Sequence, residues 1–116
     1  MCNKAHYYCL RSFLHLLFKS KGLFVGSVVM TMYQPQPAVD GFIKRLNNLG
    51  INVYKHYAIE GYPSDVQKIV SEDGYGKNEY VPTTRKLVIV TAPGPGSGKM
   101  ATCLSQLYHE NQRGVK

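Results

Sequence analysis

Acidic side chains are scarce in this sequence. Seven Asp and Glu stand against fourteen Lys and Arg, a formal net charge of +7, and the excess is spread along the chain rather than gathered in blocks. No cluster of Lys and Arg interleaved with aromatics marks a nucleic-acid face, so nucleic acid is not expected as a partner. Diffuse positive charge suits a phosphate-bearing small molecule without identifying one. Paired cysteines are also missing. Cys2, Cys9 and Cys103 are odd in number and contain no Cys-x-x-Cys, so neither a disulfide framework nor a metal site is read, and a reducing, cytoplasmic setting fits. Long apolar runs are absent as well: Phe13 to Phe18 is interrupted by His15 and falls far short of the roughly 18 residues of a membrane span. No small-residue cleavage site follows it, which argues against a secretory signal.

What is present fits a globular chain. At 116 residues with 44% apolar side chains, eleven Gly and six Pro, it holds at most one domain and can bury a core. Residues 1–21 read as an amphipathic helix, with Leu10, Phe13, Leu14, Leu17 and Phe18 at helical spacing and an apolar stripe that needs a covering surface. Residues 22–116 read as a partial α/β domain. Phe24 to Met32 is rich in β-branched and apolar residues and predicts a buried strand. Pro37 suits the first position of a helix, whose buried face is Val39, Phe42, Ile43 and Leu46 and whose end is Asn48 to Gly50. Ile51 to Ala58 predicts a second strand, completing a βαβ unit.

Farther along, Ser64 and Gln67 have capping-box spacing, predicting a short helix to about Ser71. A long loop from Glu72 to Thr84 follows, and loops of that length are often functional. Leu87 to Thr91 predicts a third strand. A helix from Gly98 to about Gln112, with Leu104, Leu107 and Tyr108 on its apolar side, closes the pattern. The fold class is α/β: a small, mostly parallel three-layer βαβ sheet with helices, with two open edges that imply a larger domain or another subunit.

Between the third strand and the last helix lies a glycine-rich, P-loop-like turn at 92–99. Gly94, Gly96 and Gly98 let bare backbone approach a ligand, while the first N–H groups of the helix point into the same space. Gly94, Gly96, Ser97, Gly98 and Lys99 are therefore the candidate site for a phosphate, alone or in a nucleotide or cofactor. Lys77, in Gly74-Tyr75-Gly76-Lys77, is a candidate second cation if its loop reaches the carboxyl end of the sheet. Against the pattern G-x-x-x-x-G-K-[ST], Gly98-Lys99 fits, but Pro93 replaces the first glycine and Met100 the hydroxyl that would hold Mg²⁺. Thr102 does not substitute, because two residues along a helix turn about 200°. No apolar strand ends in the aspartate of a Walker B element, so magnesium-dependent hydrolysis by this chain is not expected. Gly96, Gly98 and Ala101 also match G-x-G-x-x-G/A, but the acidic ribose partner about 20 residues on would lie at or past the last residue.

The alternative is a glycine-proline turn that serves packing only, within a non-catalytic structural or oligomerisation module. His56 and His109 read as structural or surface groups because no nucleophile pairs with them. Cys103 reads as a small buried side chain, and Asp65 as favouring its helix N-terminus.

EGYP at Glu60 to Pro63, VSEDGYGKN at Val70 to Asn78 and APGPGSGKMATCLSQLYHE at Ala92 to Glu110 together give the chain a family resemblance. From Gly22 to Gly114 it resembles a bacterial family of uncharacterised proteins several times longer, and it corresponds to an N-terminal portion of them. The resemblance implies a cytoplasmic, homo-oligomeric α/β protein and does not imply a reaction.

Overall fold

The computed structural model describes residues 17–92 and 94–115. In chain order the elements are β1 (Val28–Met30), α1 (Pro37–Asn48), β2 (Val53–Lys55), α2 (Val66–Ile69), a 3₁₀ turn (Tyr75–Lys77) and α3 (Lys99–Gln112). Strands β1 and β2 are hydrogen-bonded neighbours. Val28 N–H donates to Asn52 and His56 N–H to Met30, so the pairing advances in the same direction on both strands and the two are parallel. The predicted βαβ unit is therefore present, and the fold is a small α/β one. Of the predicted N-terminal helix, residues 17–20 are helical; Leu10, Phe13 and Leu14 of its stripe lie outside the described residues.

The described residues divide into two compact units, residues 17–28 with 35–53 and residues 29–34 with 54–115. In the first, α1 buries Val39, Phe42, Ile43 and Leu46, the i, i+3, i+4, i+7 stripe of an amphipathic helix. Pro37 occupies its first turn, where a missing N–H costs nothing. The helix stops at Gly50, whose φ of 76° allows Gly50 N–H to donate to Asn47 and Ile51 N–H to Leu46. That double bond is a Schellman motif, and buried Ile51 and Leu46 supply its apolar contact.

In the second unit Met30, Ile69, Tyr75 and Val81 are buried beside polar His56, Asn78, Thr102 and Ser105. Two expectations are corrected here. The cap of α2 is Asp65, whose Oδ1 accepts from Lys68 N–H at 3.1 Å, and not Ser64. Helix α3 buries Thr102 and Ser105, while Leu104 and Leu107 are exposed, as is Cys103. The reason is that α3 is held through side-chain hydrogen bonds to the segment 78–81 rather than through an apolar stripe. Asn78 Nδ2 donates to Ser105 Oγ at 3.1 Å, Gln106 Nε2 to the Val81 carbonyl at 2.9 Å, and Tyr80 Oη to Glu110 Oε1 at 2.8 Å.

The third strand is a further correction. Residues 87–91 carry no strand pairing, and Leu87, Val88, Ile89 and Val90 are 77%, 53%, 78% and 39% exposed. The sequence signal reports a preference for extended backbone, but a strand exists only when a neighbour takes its N–H and C=O groups.

Candidate phosphate-binding loop

The loop into α3 is shaped by its own polar groups. Gly98 is the N-cap of α3 with φ 85° and ψ 15°, a left-handed conformation, and no side chain caps the helix. Thr102 N–H closes the first helical turn on the Gly98 carbonyl. The N–H groups of the first turn thus have no side-chain cap, and uncapped N–H groups at a helix start favour an anion. Lys99 bends back over the loop: its Nζ donates to the Gly94 carbonyl at 2.8 Å and to Ser97 Oγ at 3.1 Å. Ser97 Oγ donates to the same Gly94 carbonyl at 2.8 Å. Four of the five loop residues expected from sequence are joined in this way or by the cap. Gly96 turns the chain between them with φ 67°.

One partner of the loop was not read from the sequence. Thr31, just past β1, donates its hydroxyl to the Ser97 carbonyl at 3.0 Å. A Cβ on Gly98 would come within 3.0 Å of Thr31 Cγ2, so Gly98 needs to be glycine for both its conformation and its contact. Gly94 and Gly96 differ: a Cβ on either would meet nothing within 4 Å among the described residues. Gly96 is explained by its φ. No packing contact among the described residues explains Gly94.

Lys77, the candidate second cation, pairs with a neighbouring carboxylate. Its ammonium is 3.7 Å from Asp73, with both side chains exposed, and it shares no hydrogen bond with the Gly94–Lys99 group. Met100, at the position of the missing hydroxyl, is exposed, and Thr102 is buried. Among the described residues no group of three His, Cys, Asp or Glu could hold a metal ion, and no helix is long and apolar enough to cross a membrane.

The segment after the 3₁₀ turn forms a polar wall. Tyr57 N–H donates to buried Asn78 Oδ1 at 2.8 Å. His56 Nε2 lies 3.0 Å from the Glu79 carbonyl, which can only accept, so that nitrogen carries the proton. Burial lowers the His56 pKa; the Glu79 carbonyl opposes this in part, and nearby His109 adds to it. The ring of His109 stands edge-on to Tyr80 and Tyr108, and its Nε2 has no hydrogen-bond partner among the described residues. On another face, Tyr62, Val66, Val70, Leu104 and Leu107 help line an apolar groove of about 440 Å³.

Residues 10–116 match the family model described as "Domain of unknown function DUF1846, N-terminal". The chain belongs to this family. It is 63% identical over 90 residues to a UPF0371 protein of Clostridioides difficile (strain 630), covering 78% of this chain and 18% of that one. A UPF0371 protein of Fusobacterium nucleatum is 60% identical over 96 residues, 83% of this chain and 19% of the relative. One from Streptococcus pyogenes serotype M5 (strain Manfredo) is 56% identical over 99 residues, 85% and 20%. The chain thus spans about a fifth of the length of the curated relatives it matches.

Proposed function

We propose that the Gly94–Lys99 loop and the N-terminus of α3 bind a phosphate-bearing ligand, a nucleotide or cofactor, without hydrolysing it. The observation that carries this reading is the open space at Gly94. A glycine kept only for packing would be pressed by neighbours, whereas a Cβ on Gly94 would meet nothing within 4 Å among the described residues. Bare backbone beside free helix N–H groups and an ammonium is what a phosphate needs. Lys99 Nζ already occupies the mouth of the loop on neutral oxygens, and an anionic oxygen would make stronger hydrogen bonds to it. Met100 at the hydroxyl position removes the usual Mg²⁺ ligand, which is why binding rather than hydrolysis is proposed.

The test is calorimetric titration of ATP, NAD and inorganic phosphate into the wild type and Lys99→Ala. Binding by the wild type that weakens in the variant is expected. No heat with any of the three overturns the reading. A second reading, a non-catalytic structural or homo-oligomeric module, draws on the exposed run Leu87–Val90; light scattering over a range of concentrations checks it, and a monomer throughout removes it.

A further inference from the structure

We propose that Leu87–Thr91 is an interior strand of the family's sheet, and that one of its two neighbours is a β-strand from the sequence that the relatives carry outside the matched fifth. Along a strand, alternate side chains face opposite sides. Leu87, Ile89 and Thr91 would share one face, Val88 and Val90 the other. Both faces are apolar or β-branched, the pattern of a strand covered on both sides, whereas an edge strand on a one-sided core alternates with polar residues. Yet both faces are open here: Leu87 and Ile89 are 77% and 78% exposed, Val88 and Val90 53% and 39%.

The described residues supply two strands, and these pair with each other. Each of them therefore has one edge left, so neither can flank residues 87–91 on both sides. An interior strand at 87–91 needs at least one neighbour from elsewhere. The relatives have the chain to provide it, because about four fifths of their length lies outside the match. A strand is the fitting occupant, since an unpaired apolar strand presents a row of backbone donors and acceptors along with its side chains. A second copy of this chain is the competing occupant.

Hydrogen exchange of single amides separates these cases. In a parallel strand, successive residues direct their N–H groups to opposite neighbours, so pairing on one edge protects alternate amides and pairing on both protects consecutive ones. The comparison is between this chain and the intact Clostridioides difficile relative. Any 90-residue match to a 116-residue chain includes residues 27–90, so the run has a counterpart there. The expected result is fast exchange at Val88, Ile89 and Val90 in this chain at all concentrations. The aligned amides of the intact relative should be protected consecutively, by about 100-fold or more and independently of its concentration. Equal exchange in the two proteins, or protection of alternate amides only, overturns the proposal. Protection of this chain that grows with its concentration also overturns it, in favour of a second copy.

Discussion

The chain contains two loops with the same sequence pattern, Gly74-Tyr75-Gly76-Lys77 and Gly96-Ser97-Gly98-Lys99, and the structure uses them in opposite ways. In the first, a Cβ on Gly74 would run into the carbonyl oxygens of Ile69 and Lys68, and one on Gly76 would come within 2.7 Å of Glu72 Oε2. Its lysine points to Asp73. These glycines let the chain fold tightly on the end of α2 and bring Tyr75 and Asn78 into the core. In the second loop the lysine turns inward onto a carbonyl and a hydroxyl, and the glycine before the motif, Gly94, borders open space. Identical spacing therefore presses both glycines against neighbours in one place, and in the other presses Gly98 alone and leaves Gly96 with no neighbour among the described residues. The difference comes from what lies next to the backbone, which spacing does not encode.

The comparison breaks most sharply at Gly74. Gly74→Ala forces backbone against backbone and is expected to cost about 3 kcal/mol or more, read from denaturant unfolding. A cost under 1 kcal/mol would mean that this loop is as open as the other. Next in size is Asn78→Ala, which strands the Tyr57 N–H and the Ser105 hydroxyl. It is expected to destabilise by about 2 kcal/mol in the same measurement.

Removing the lysines sharpens the contrast in ligand binding. Lys99→Ala is expected to weaken phosphate-ligand affinity about tenfold, or about 1.4 kcal/mol, and Lys77→Ala by less than about threefold. Equal losses would place both lysines at one site. His56, on the wall beside the first loop, adds a pH dependence. Its folded pKa lies below the ordinary 6.5 because burial disfavours the cation, so the unfolded chain binds the proton more readily. Stability is full above about pH 6.5 and falls as the pH drops from there toward the folded pKa; His56→Gln should flatten that part of the profile. The smallest expected change in stability is that of Gly94→Ala, within about 0.5 kcal/mol. Its ligand affinity should nonetheless drop, because the new methyl would stand where the backbone approaches the phosphate.

Helix α1 was readable almost to the residue. Its apolar period, Pro37 and Gly50 are local signals, and the physics that starts and stops a helix is local too. The start of α3 was readable for the same reason. Its buried face was not, because Ser105 is buried against the amide of Asn78 and Gln106 beside it bonds the Val81 carbonyl, and a hydrophobic period cannot report a polar contact. Residues 87–91 have the composition of a strand without the pairing, since pairing belongs to the neighbour as much as to the segment. The loop residues 94–99 could be named from glycine, serine and lysine alone. Thr31 could not, being 66 positions away with nothing in its own surroundings to mark it.

That one hydroxyl also sets an order of events during folding. The Ser97 carbonyl is held only after the chain has closed a circuit of 66 residues, and contacts so distant in sequence form slowly because the loop entropy is lost before the contact is made. The loop is therefore expected to be among the late features to take shape, and the ligand proposed for it would bind the finished fold and not its precursors. Such a ligand would raise the melting temperature of the whole unit in proportion to the logarithm of its concentration.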